Sequence, residues 1–296
     1  MPASRALPAS PAPTSLGVRR ILLDGAGVTL SALLAEAPPH HPPRATIVAL
    51  HGGGMSAGYF DGQAHPDLSL LTLAASLGYN VLSVDRPGYG TSAAQLPDGQ
   101  TLVEQAATLY AALKHYATQY ETGAGYFVLA HSYGGKLALT AAADEQGAAL
   151  IGLDISGCGH QYAVGPDDLP GARGHGRWSL TWGALRYYPP NTFLSSASLV
   201  APMPAREGRE AALWPTTFPD VAARVRVPVR LTFAAHEAWW RHDETAVADL
   251  TARLASPRVV IDRVPEAGHN ISLGWAARSY HLKALAFLEE CLAGRV

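Results

Sequence analysis

The chain is short of most features that would settle its class at a glance. Its 296 residues include only two cysteines, Cys158 and Cys291. That is too few for a disulfide framework, and no Cys/His spacing resembles a zinc site. Charge is scarce and balanced: 16% of residues are charged and the formal net charge is −2. This gives no electrostatic case for nucleic acid or for an anionic membrane surface. No apolar run approaches the roughly 18–20 residues needed to span a bilayer. Internal repeats are absent, and the glycines that follow residues 45–50 lack the Gly-x-Gly-x-x-Gly spacing of a dinucleotide site.

What the chain does have is apolar content, 48%, enough for a sizeable core. Its length permits one large domain or two small ones. Residues 1–15 are rich in Pro, Ala and Ser and include Arg5, but they lack the apolar stretch of a secretory signal. They read as a disordered leader, and the cytoplasm is the default expectation for location.

After the leader, two strand-like runs, 18–23 and 28–35, flank Asp24-Gly25-Ala26-Gly27 and read as a hairpin. Further strands are expected at 45–50, 80–84, 127–130, 150–155, 227–233 and 259–264. Helices are expected at 68–77, 102–120, after Ser132, at 244–254 and at 273–292. Alternation in this rhythm argues for an α/β fold with a mostly parallel sheet flanked by helices. Catalytic residues then gather at the carboxyl ends of the strands. The rhythm breaks between residues 157 and 215. That stretch holds Gly, Pro, Arg and many aromatics, among them Tyr162, Trp178, Trp182, Tyr187, Tyr188 and Trp214. It is too long for a plain loop and reads as an inserted aromatic-rich cap, residues 158–214, over a core of residues 16–157 and 215–296.

The most informative stretch is Ala130-His131-Ser132-Tyr133-Gly134-Gly135. An apolar run stops at Ser132, glycines follow, and a helical pattern resumes. A serine there projects from a tight strand–helix turn, over a helix N-terminus whose free N–H groups favour developing negative charge. That is the geometry of a nucleophilic serine, usually written Gly-x-Ser-x-Gly; alanine takes the first small position here. Alone, the pentapeptide is equally a turn that happens to contain serine. A serine hydroxyl needs a base. His269 follows the 259–264 strand, and Glu237 follows the 227–233 strand. The chain order is thus serine, acid, histidine.

Four motifs together resemble the α/β-hydrolase superfamily: His51-Gly52-Gly53-Gly54, Asp85-Arg86-Pro87-Gly88-Tyr89-Gly90, Ala130 to Gly135, and Ala267-Gly268-His269. The resemblance runs from about Val18 to the C-terminus, with the cap its least comparable part. It implies a triad of Ser132, His269 and Glu237, and an oxyanion hole from the backbone N–H groups of Tyr133 and Gly53. Two departures stand out: Glu237 where aspartate is commoner, and Ala234 in place of the glycine usual three residues earlier. Some members place the acid one strand before, so Asp154 is the rival; it reads equally as a structural cap on the turn at Ile155-Ser156-Gly157.

His51 is expected to order the oxyanion loop, His131 to point into the protein, and His236 to be structural. His160 and His175 are candidates to face substrate. Trp178, Trp182 and Trp239 are candidate substrate-binding residues. Asp85 and Arg86 are expected to knit loops, Arg86 through a buried ion pair. Serine at the elbow, where members acting on halides and epoxides usually carry aspartate, favours esters, thioesters, lactones or amides. The implied partner is a small, largely apolar acyl compound. No cofactor, metal, nucleic acid or membrane is implied, and oligomeric state is left open. The alternatives are acyl transfer or cyclisation in the same pocket, and a non-catalytic ligand-binding protein.

Overall fold

The chain enters the sheet through a hairpin, β1 (Arg19–Asp24) and β2 (Thr29–Ala35), whose turn is held by Gly27 N–H donating to Asp24 Oδ1 at 2.7 Å. The computed structural model describes residues 13–144, 150–169 and 178–294; the expectations for residues 1–12 and for His175 lie outside them. Strands buried on both faces read as unbroken apolar runs. β3 (Thr46–Leu50), β4 (Asn80–Val84), β5 (Tyr126–His131), β6 (Leu150–Ser156) and β7 (Val229–Ala234) are buried at every position. β8 (Val259–Val264) closes the edge and is only half-buried.

The sheet order is β1-β2-β4-β3-β5-β6-β7-β8, with β2 antiparallel to both of its neighbours, β1 and β4, and the remaining pairs parallel. Alternate side chains of each strand serve opposite faces. Val48 and Leu50 join the layer of α2 (Leu102–Ala117), α3 (Tyr133–Ala143), α6 (Ala205–Ala222) and α7 (Glu244–Arg253). Ile47 and Ala49 join that of α1 (Leu70–Ser76) and α8 (Ala277–Ala293). Two short helices, α4 (Trp178–Trp182) and α5 (Thr192–Ser195), lie between β6 and α6. No helix among the described residues is long and apolar enough to cross a membrane.

Local signals set the helix starts. Thr101 and Glu104 form a capping box on α2, and Asp243 caps α7 by accepting from Ala246 N–H. The last helix starts later than the pattern suggests: Ile271–Leu273 make a separate 3-10 turn, and Trp275 N–H is held by Tyr187 O at 2.9 Å. Helix α6 is unexpected. Pro215 and Pro219 lie inside it, and a proline both removes an N–H and signals a break. The carbonyl that Pro215 leaves without a helical partner, Ala211 O, instead accepts from Tyr162 Oη at 2.8 Å. Thr14 and Ser15 are tied down through Thr14 Oγ1 to Val18 O and Ser15 N–H to Asp61 Oδ2.

Three buried histidines prefer to be neutral. Burial lowers the pKa of His51, His131 and His281, the last to about 3. An unfolded histidine titrates near 6.5. Below that pH the unfolded chain binds protons that the folded chain refuses, so stability falls as pH drops from about 6.5 toward 3, by about 1 kcal/mol per pH unit for each such group. His281→Phe removes one of them. Urea unfolding of the variant should show a shallower acid decline by about that amount between about pH 6.5 and 4.5; parallel declines would refute the assignment.

Candidate active site

β5 ends at His131 and α3 begins at Tyr133, which leaves Ser132 to make the whole turn with φ 53° and ψ −114°. A non-glycine residue in that region stores about 1–3 kcal/mol of strain. The surroundings enforce it. Ser132 N–H donates to Ser156 O at 2.8 Å, and Gly135 N–H donates to Ser132 O at 2.9 Å. Glycine at the next two positions lets the helix sit against the strand ends. A Cβ on Gly134 would lie 2.3 Å from Leu50 O, and one on Gly135 would lie 2.5 Å from Ile155 Cγ2.

His269 comes from the loop after β8 and Glu237 from the loop after β7. His269 Nε2 is 3.1 Å from Ser132 Oγ. His269 Nδ1 lies 2.8 and 3.0 Å from the two Glu237 oxygens. With Nδ1–H donating to the carboxylate, Nε2 carries the lone pair that faces the serine. Glu237 Oε1 also accepts from Trp239 N–H at 2.9 Å, which fixes the carboxylate within its own turn. Asp154 lies elsewhere. It is buried in β6, with one oxygen paired to Arg230 and the other accepting from Tyr280 Oη at 2.8 Å. Burial raises its pKa and Arg230 opposes that rise. The carboxylate beside His269 is therefore that of Glu237.

The glycine loop after β3 is shaped by Arg86, fully buried at the end of β4. Its guanidinium donates to His51 O at 2.8 Å and to Gly52 O at 3.2 Å, and pairs with Glu207 of α6. His51 accepts from Arg86 N–H at 3.0 Å, and its Nδ1 lies 2.8 Å from Gly52 O. Tyr89 Oη donates to Glu207 at 2.6 Å and accepts from Gly54 N–H at 3.0 Å. Loop carbonyls and the Gly54 amide are thus engaged. The N–H groups of Gly53 and Tyr133 have no acceptor among the described residues, and both residues line the cavity above Ser132.

The family model described as the alpha/beta hydrolase family matches residues 47–279. The chain belongs to this family. No curated protein matches its sequence. Among solved structures it is similar to a soluble variant of monoglyceride lipase from Saccharomyces cerevisiae, with 14% identity, 95% of this chain and 99% of that one covered, and a TM-score of 0.70. It is also similar to a thermostable carboxyl esterase from Bacillus coagulans, with 16% identity, coverage of 94% and 100%, and a TM-score of 0.67. An epoxide hydrolase from Vigna radiata matches at 13% identity, coverage of 94% and 100%, and a TM-score of 0.66. At such identities these likenesses show the fold alone.

In this hydrolase Ser132, His269, Gly53 and Tyr133 share a cavity of about 80 Å³ with Met55, Lys136, Tyr162, Met203, Trp239 and Trp240, among others. Trp178 and Trp182 are not among its lining residues. They cluster with Phe193 in the segment between β6 and α6, and Trp178 is 52% exposed. His160 is buried against Phe218 and bonded to Asp249 at 2.6 Å, away from the lining. His236 stacks on Tyr187, while His131 is buried between Tyr59 and His269. Sequence reasoning passed over Glu207 and Lys136 as site residues. The one available signal was Lys136, the single charge in an otherwise apolar helix.

Removing Glu207 strands a buried guanidinium. Glu207→Ala should cost about 3–5 kcal/mol in urea unfolding. The paired change Arg86→Met with Glu207→Leu should recover most of that stability yet leave ester hydrolysis impaired, because the glycine loop has lost the donor that shapes it. Full activity in the double variant would show that the pair has no positioning role.

Proposed function

We propose that the chain is a serine hydrolase that cleaves a carboxylic ester, thioester or lactone through an acyl-enzyme on Ser132. The observation that carries this reading is the continuous relay from Glu237 through His269 to Ser132 Oγ, with links of 2.8 and 3.1 Å. As Oγ attacks the acyl carbonyl, His269 Nε2 takes its proton, and Glu237 holds the tautomer and stabilises the imidazolium. The carbonyl oxygen becomes an oxyanion facing the Gly53 and Tyr133 amides. His269 returns the proton to the leaving oxygen or sulfur. It then deprotonates a water that attacks the acyl-enzyme, releasing the acid and restoring the serine.

The family also includes enzymes that open epoxides, so fold alone does not choose the reaction. A serine oxygen suits attack at an acyl carbonyl, and two unengaged amides on residues lining the same cavity suit the oxyanion that results. The cavity has room for about half a dozen water-sized groups, and its Met and Trp walls favour a compact, partly apolar acyl group. Cys158 and Cys291 are buried and form no disulfide among the described residues, which fits a reducing compartment such as the cytoplasm.

A fluorophosphonate probe should label Ser132, and Ser132→Ala should abolish labelling and lower turnover of an activated ester by about a thousandfold or more. Absence of labelling in the wild type would favour a ligand-binding protein instead. The acid is tested by comparison. Glu237→Gln should lower kcat by about a thousandfold, whereas Asp154→Asn should lower stability by about 3 kcal/mol and leave kcat largely intact. The reverse pattern would reassign the acid to Asp154.

A further inference from the structure

Lys136 is buried in the first turns of α3, four residues after Ser132, and lines the same cavity. An ammonium has three N–H donors and no acceptor. One donates to Tyr162 Oη at 2.8 Å. Tyr162 can receive it because its own proton goes to Ala211 O, the carbonyl that Pro215 leaves free. Around the rest of the ammonium stand the rings of Tyr133, Tyr162, Trp214 and Trp240, with centroids 5.2–5.9 Å from Nζ. Among the described residues no carboxylate lies within ion-pair distance of it.

This is a costly arrangement unless something completes it. Taking an ammonium out of water costs several kcal/mol. Burial accordingly lowers the Lys136 pKa, to about 8, which leaves the charge largely in place at neutral pH. Ring faces recover part of that cost but supply no oxygen for the remaining N–H groups. A leucine or methionine would fill the same volume without the penalty. Neighbouring donors are also unanswered. Tyr133 Oη and Trp240 Nε1 are buried with no partner among the described residues, and both residues line the cavity. The wall around Lys136 therefore gathers positive charge and unanswered donors, with Tyr162 Oη accepting one ammonium proton, beside a serine read as taking an acyl group.

We propose that Lys136, with Tyr133 and Trp240, binds a carboxylate carried by the acyl part of the substrate, so that the enzyme prefers half-esters of dicarboxylic acids over neutral esters. This rests on the reading of Ser132 as the acyl-accepting nucleophile. The acyl group remains on the serine while the alcohol departs, so a specificity contact on the retained half acts through both steps. Lys136 is in this view a specificity-determining residue that takes no part in proton transfer.

The test follows hydrolysis by pH-stat at neutral pH. Substrates are the monomethyl esters of succinate, glutarate and adipate, each beside the methyl ester of the unsubstituted acid of equal chain length. For the best-fitting chain, wild-type kcat/KM should favour the half-ester by about tenfold or more, the size of one charge-assisted hydrogen bond. The readout is the ratio of the two kcat/KM values, which a general loss of activity does not move. Lys136→Met should bring the ratio to about one, and Lys136→Arg, which keeps the charge, should retain a preference. A wild type that hydrolyses the neutral esters without preferring any half-ester overturns this assignment and leaves the hydrolase reading standing. The same holds if Lys136→Met keeps the preference. A wild type that cleaves neither class overturns both.

Discussion

The buried ion pair between Arg86 and Glu207 joins the end of β4 to α6 behind the glycine loop. Arg86 arrives from the end of β4, Glu207 from α6, and between them they gather the glycine loop, Tyr89 and Gln105 of α2. Neither charge is tolerable without the other in so dry a place. The consequence is directional. With His51 O and Gly52 O drawn toward the guanidinium, Gly53 lies along the cavity, its N–H without an acceptor among the described residues. The site is therefore assembled from behind: what shapes it is a polar cluster that does not touch the reacting atoms.

A second constraint concerns charge around His269. The His131 and His269 rings lie 4.7 Å apart. Two imidazolium ions at that separation would repel strongly in a low-dielectric interior. Burial keeps His131 neutral, its Nδ1 lies 3.1 Å from Ser156 Oγ, and its ring stacks on Tyr59. It thus packs as an uncharged aromatic wall. Glu237 is the carboxylate that faces the His269 imidazole, and in the proposed mechanism it alone stabilises positive charge there.

How much of this was legible in the chain depended on how local each cause is. β3, β4, β5 and β6 are mostly apolar, and they could be read directly because both of their faces are covered. Ser132, Glu237 and His269 each follow a strand, so their meeting could be inferred from topology. Ala234 in place of glycine and the longer Glu237 side chain did not prevent the pairing. Glu207 could not be found this way. It sits in Ala-Arg-Glu-Gly-Arg-Glu, a stretch that looks like a solvated helix face, and nothing local separates it from Glu210; only the tertiary fold buries it. The aromatics between β6 and α6 misled for a related reason. Trp178 and Trp182 find each other and Phe193, whereas Trp239 and Trp240 reach the cavity because the Glu237 turn places them there.

Pro215 is exposed to solvent on α6, and it touches nothing in the cavity. Its missing amide hydrogen nevertheless leaves a helical carbonyl free, that carbonyl takes the Tyr162 proton, and Tyr162 then turns a lone pair toward Lys136. A gap in one helix ladder is relayed inward as polarity. Reshaping what this cavity recognises is accordingly not a matter of its walls alone: a change of backbone chemistry at a water-facing position, two hydrogen bonds away, would redirect the same tyrosine and alter the field that an incoming ligand meets.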